Sequence, residues 1–208
     1  TEALFYLLFL TLDLMNTGAV WSKSLKYASI LLCFVWVWSR ARSFDGRLVG
    51  TALGFTLLAD LFLLVLDRWY LAGLWAFCVV QGLYFIRILL LRRRGMRASL
   101  LLRGLLALAA AGGLAALRIL EPLTAAAALY FSQLAANALE SLTLGRQYAR
   151  FTLGLFLFVC CDLCVGLHNL SSFLPAAGQG WLFGFARVGM WLFYLPSQVL
   201  ITLSMRKE

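Results

Sequence analysis

Apolar residues along this chain fall into eight runs separated by short polar joints, and several runs carry polar groups in their interior. The runs are Ala3–Val20, Lys26–Trp38, Leu48–Leu66, Trp69–Leu91, Ala98–Leu117, Pro122–Leu142, Phe151–Ser172 and Trp181–Ser204. Most approach the roughly 20 residues that a helix needs to cross a hydrocarbon layer about 30 Å thick. Lys26–Trp38 is short and is expected to extend into its flanks. Pro122 suits the first turn of its helix. Gly104, Ala109, Gly112 and Gly113 give the fifth run the small residues that let membrane helices approach closely. The pattern predicts an all-α integral membrane protein, with about eight transmembrane helices around a polar intramembrane cavity, forming a single polytopic domain over residues 1–208.

Leu48–Leu66 reads LVGTALGFTLLADLFLLVL, nineteen residues in which only two Thr and Asp60 are polar. Asp60 lies about two-thirds of the way along. An ionisable group at that depth is costly and reads as functional. Phe151–Ser172 repeats the pattern, with Asp162 near its middle. Other polar residues recur at helical spacing: Tyr6, Asp13 and Asn16 in the first run; Thr56, Asp60 and Asp67 in the third; Tyr130, Gln133, Asn137 and Glu140 in the sixth; Arg187, Tyr194 and Gln198 in the eighth. Lipid cannot satisfy these groups, so the stripes are expected to face one another, as interhelical glue or as the lining of a cavity. Runs three and seven both follow basic joints and both carry a mid-helix Asp. A parallel four-plus-four duplication, over residues 1–95 and 96–208, would place them so.

Composition agrees with this class: 63% of residues are hydrophobic and 13% charged, with mean hydropathy +0.89. A net charge of +9 would suggest nucleic acid in a soluble protein. Here the basic residues gather at helix ends and joints, which topology explains better, and no nucleic-acid partner is expected. Arg40, Arg42, Arg47, Arg92, Arg93, Arg94, Arg97, Arg146, Arg150, Arg206 and Lys207 fall on one side, eleven in all, against four on the other: Lys23, Lys26, Arg68 and Arg118. The bias places both termini in the cytoplasm. Arg92–Arg97 is alternatively a patch for anionic membrane lipid. The five Cys form no framework and read as small buried hydrophobes. The first run has no basic flank or small-residue cleavage site and reads as a span, not a cleaved signal peptide.

Two buried carboxylates admit three chemistries. They can share a proton as an acid/base pair, relay protons or bind a coupling ion in a transporter, or ligate a metal. The last is weakest. His168, the only His, sits six residues from Asp162 and thus about 120° off its face. It reads as an interfacial polar residue. No cofactor motif is present, and no cofactor or metal is expected.

The stretch GFTLLADLFLLVLDRWYLAGLWAFCVVQGLYFIRI resembles the YhhN family of membrane lysoplasmalogenases, with Gly54, Asp60, Leu63, Gly73, Phe77 and Tyr84 on the family pattern. LFLFVCCDLCVGLHNL around Asp162 resembles the family's second Asp motif. WLFYLPSQVLITLS resembles its closing segment through Tyr194, Gln198 and Ser204. The sequence departs from that pattern at Gln81, where the family usually has His, at Ala59 for Gly, at Cys161 for Ser, and at SKSLKY for a Lys-Pro pair. The resemblance implies hydrolysis of the vinyl ether of a lysoplasmalogen, a lysophospholipid, to a fatty aldehyde and a glycerophospho-alcohol. Asp60 and Asp162 would be catalytic. Gln81, Tyr84, Tyr194, Gln198, Arg187, Asp13 and Asn137 would meet the substrate, with Arg187 a partner for its phosphate. A non-catalytic lipid-binding protein or small transporter using the same acidic cavity is the alternative, and a structural membrane subunit the third. Compact length and loops rich in Ala, Leu and Arg suggest a bacterial cytoplasmic membrane.

Overall fold

A computed structural model describes residues 2–15, 19–92, 96–170 and 181–205. Among them eight α-helices follow in order: α1 (Glu2–Leu14), α2 (Ala19–Trp38), α3 (Phe44–Asp60), α4 (Tyr70–Leu91), α5 (Met96–Ala116), α6 (Pro122–Ser141), α7 (Ala149–Leu170) and α8 (Trp181–Leu203). Local chemistry sets several boundaries. Ser43 caps α3 by accepting a hydrogen bond from Gly46 N at 3.0 Å. Glu121 and Thr124 form a reciprocal cap on α6, with Pro122 in its first turn.

The first two helices divide differently from the sequence expectation. α1 ends at Leu14, whereas the apolar run continues to Val20, and α2 starts at Ala19, seven residues before Lys26. Asn16, Thr17 and Gly18 fall at the junction in sequence, a triplet of turn-favouring residues too short to break the hydropathy of the run. Lys23 and Lys26 therefore stand on a helix and not in a joint. Asp67 also leaves its expected stripe. Beyond Asp60 the helix widens into a π-helical segment, Leu61–Val65, which ends with Leu66 N donating to Leu61 O at 2.8 Å. Asp67 then turns into the left-handed region, with φ 52°, and Trp69 follows with φ 56°.

Among the described residues, four segments are long and apolar enough to cross a membrane: Phe44–Val65, Tyr70–Leu91, Met96–Ala116 and Arg146–Asn169. In the packing, α2, α3, α4, α6, α7 and α8 each touch the next, and α8 returns to α2 to close a ring. α1 lies against α2 and α8, and α5 against α6. The outer faces are apolar, with Leu101, Leu105 and Leu108 of α5 among the most exposed residues. One end of the ring is tied by Arg87. Its guanidinium donates to both carboxylate oxygens of Asp45, at 2.7 and 2.9 Å, and to Ser204 Oγ and O at 2.7 and 2.8 Å. It also lies 4.4 Å from the Phe151 ring. One buried cation thus joins α3, α4, α7 and the end of α8, with its charge paired and its donors engaged, as burial requires.

Candidate functional site

The carboxylate of Asp60 occupies the last turn of α3, immediately before the π-helical segment. Such local widenings often mark functional positions in helices. Gly73 lets α4 close onto this segment: a Cβ there would stand 2.6 Å from Leu63 Cγ. Asp60 is buried. Tyr194 of α8 reaches it from across the ring, and its hydroxyl lies 2.8 and 2.7 Å from the two carboxylate oxygens. In hydrocarbon, where no water competes, a phenol aimed at a carboxylate is a strong and directional contact.

Asp162 on α7 completes the cluster. It lies within electrostatic reach of Asp60, and the Tyr130 hydroxyl and Cys161 thiol adjoin it. Its Oδ2 is enclosed without a hydrogen-bond partner, as is the Tyr130 hydroxyl. Aromatic rings wall the pair. Phe77 stacks on Tyr130 with centroids 5.3 Å apart, and Phe158 packs edge-on against Phe77 and Tyr194, each at 5.8 Å. Trp191 meets Tyr194 edge-on at 5.9 Å, and the Lys26 ammonium lies 3.8 Å from the centroid of Trp191. Two carboxylates and two phenols thus share an aromatic-walled site, with the buried Lys26 cation one ring removed, on Trp191. Such a site can hold a proton on one carboxyl and a charge on the other, and can sense charge developing between them.

The remaining candidates divide into separate groups. Gln81 and Asn137 are fully buried and bonded to each other: Asn137 Nδ2 donates to Gln81 Oε1 and to Gln81 O, both at 2.9 Å. Arg103 of α5 donates to Asn137 Oδ1 at 2.7 Å, to Glu140 Oε2 at 2.6 Å and to Gln133 Oε1 at 3.1 Å, and Ser99 also donates to Glu140. The sixth-run stripe therefore serves two neighbourhoods, with Tyr130 toward Asp162 and Gln133, Asn137 and Glu140 toward α5. Tyr84 is buried beside Arg87 and Cys33, its hydroxyl unpartnered. Gln198, one turn beyond Tyr194, is buried with both amide atoms unpartnered. Arg187 is exposed. The side chain of Asp13, like Asn16, lies outside the described residues. His168 stacks on Phe183 at 4.9 Å. Among the described residues no three His, Cys, Asp or Glu gather as a metal site would require.

Arg87, Arg103, Tyr130 and Lys26 were not among the sequence candidates for the site. A signal existed for the two arginines, since each interrupts an apolar run. Tyr130 lay on a recognised stripe, but nothing in spacing says which of its members faces Asp162.

A family model described as the YhhN family matches residues 21–205. No curated protein and no solved structure matches the chain.

Proposed function

Since the chain belongs to the YhhN family, we propose that it is a membrane hydrolase of the lysoplasmalogenase type, cleaving the vinyl ether of a lysophospholipid. The observation that carries the reading is the Asp60–Asp162 pair, walled by aromatic rings and supplied with two phenols. In this reaction one protonated carboxyl gives its proton to the vinyl carbon remote from oxygen. The other vinyl carbon becomes an oxocarbenium carbon, which an ionised carboxylate stabilises. That carboxylate then takes a proton from the water that attacks the cation. The hemiacetal so formed collapses with cleavage of its bond to the glycerol oxygen, which gains a proton. Aldehyde and glycerophospho-alcohol leave, one water is consumed, and the proton taken from water passes from the second carboxyl back to the first, restoring the acid. Glycoside hydrolysis passes through a similar cation with a similar pair.

The hydrogen bonds divide the roles. Tyr194 contacts both oxygens of Asp60, which suits Asp60 to carry charge opposite the cation. Asp162, which no hydroxyl among the described residues spans in that way, is then assigned the proton. A bacterial cytoplasmic membrane, crossed several times, is the setting proposed.

Lipid binding without turnover is the second reading, and Gln81 favours it. An amide can neither accept nor deliver a full proton, and here its oxygen is already held by Asn137. One experiment separates the two. Purified protein in detergent should release aldehyde from a lysoplasmalogen and none from the saturated ether, which has no double bond to protonate. Asp60→Asn and Asp162→Asn should each cost about 10²–10⁴-fold. Folded protein that binds lysolipid yet yields no aldehyde, with Gln81→His equally silent, would establish lipid binding instead.

A further inference from the structure

Away from the aspartates, an open cavity of about 160 Å³ lies where α4 ends, α5 begins and α6 finishes. Arg92, Ser99, Glu140 and Thr143 give it a polar floor, and Leu102 and Leu139 are part of its apolar wall. The charges do not balance. Glu140 is met by Arg103 at 2.6 Å and by Arg92 at 3.8 Å, two cations for one carboxylate, a local excess of one positive charge. The Nε atoms of both arginines are buried without partners. Thr143 spends its hydroxyl on Glu140 O at 2.8 Å, and Ser99 spends its own on the Glu140 side chain, so neither offsets the excess. Arg92 retains 19% side-chain exposure, enough to meet a ligand from the cavity.

We propose that this cavity binds the phosphodiester of an anionic phospholipid, with acyl chains lying along α5. The position fits: the cavity sits at a helix-end level, where headgroups lie, and an apolar stripe leads away from it. Ala98, Leu102 and Leu105 follow one another at helical spacing. Leu105 and its neighbours Leu101 and Leu108 are 66, 68 and 72% exposed. A net anionic headgroup neutralises the local excess, whereas a choline or ethanolamine group would bring its own cation beside Arg92. Since α5 packs chiefly on α6, a lipid spanning the two would add to a small interface. The site is independent of the vinyl-ether reaction and stands or falls separately from it.

Native mass spectrometry of the detergent-solubilised protein, titrated with phosphatidylglycerol, phosphatidylcholine or inorganic phosphate, tests the assignment. Phosphatidylglycerol should bind most tightly and inorganic phosphate alone should not compete with it. Arg92→Gln should weaken phosphatidylglycerol about fivefold, the worth of one basic group at a membrane surface. Ala98→Phe should weaken it by occupying the cavity without altering charge. Arg97→Gln, an exposed change in the same basic segment, should leave it nearly unchanged. Equal binding of the two lipids, equal losses in Arg92→Gln and Arg97→Gln, an unaffected Ala98→Phe, or displacement by inorganic phosphate would each overturn the proposal.

Discussion

At Asp67, outside the membrane-spanning segments, the carboxylate accepts a hydrogen bond from the Tyr70 hydroxyl at 2.7 Å and one from Lys23 Nζ at 3.3 Å. The Tyr70 bond, followed by the bond to and charge of Lys23, holds its carboxyl below the ordinary value. A depressed folded value means stability that is present above the unfolded value of about 3.9 and lost as pH falls through the folded one. Both partners of the ion pair are exposed, so the contribution is at most about 1 kcal/mol and shrinks in salt. Asp67→Asn should therefore lower the melting temperature slightly at neutral pH. Thermal scans should show the gap closing as acid takes the pH below the folded value. A gap that persists there would assign the effect to the hydrogen bond with Tyr70 rather than to charge. Asp60, seven residues earlier, has no such water-mediated screening, and its surroundings are protein groups on other helices. That contrast explains what could be read in advance. A carboxylate inside an apolar run is visible in the sequence, and both Asp60 and Asp162 were. The partners from other helices are brought by the packing of α6 and α8, so Tyr194 could be suspected from its stripe, while the choice of Tyr130 among the α6 stripe could not.

Between elements, α7 and α8 approach closely. A Cβ on Gly154 would stand 2.7 Å from Ile201 Cγ1, 3.0 Å from Ser197 O and 3.1 Å from Ile201 N. Two of those atoms are backbone and cannot rotate aside. Gly154→Ala gains up to about 1 kcal/mol of helix propensity, but overpacking against backbone costs about 1–3 kcal/mol, so strain should prevail. The expected result is a lower melting temperature in detergent. Gly166→Ala on the same helix, where a Cβ meets nothing within 4 Å, should not share the loss. Equal behaviour of the two would show that the helices separate at little cost. Glycine positions were legible as signs of close packing, though the sequence pointed to those of α5. The glycines of α5 with open surroundings include Gly104, Gly112 and Gly113, while the tight contacts fall at Gly46, Gly73, Gly154 and Gly189. The π-helical turn after Asp60 was not legible either. LFLLV is uniformly apolar, and a change of helical pitch inside such a stretch leaves no mark in hydropathy.

Across the whole molecule, several helix pairings recur in the two halves of the chain, with the packing of α1 on α8 outside the pattern. α1 packs on α2 and α5 on α6; α2 on α3 and α6 on α7; α3 on α4 and α7 on α8; and α4 meets α6 as α8 meets α2. A duplicated four-helix unit, the expectation raised from the sequence, would produce such pairings, with Asp60 on α3 and Asp162 on α7 as counterparts. Such a plan would give an even number of crossings, with both ends of the chain on one side. The distribution of basic residues indicates which side. Lys26 is buried against Trp191, so it belongs to the interior and leaves the count for the sparsely basic side. That side then holds Lys23 on α2, Arg68 and Arg118, while Arg40, Arg42, Arg47, Arg92, Arg97, Arg146 and Arg150 remain opposite. Since Lys and Arg are retained on the cytoplasmic face, tags fused before Thr1 and after Glu208 should both resist a membrane-impermeant label in intact cells and both react after the cells are opened. Labelling of one tag from outside would mean an odd number of crossings and would break the paired plan. Labelling of both would keep the plan and reverse its orientation, placing the Arg92 cavity in the outer leaflet.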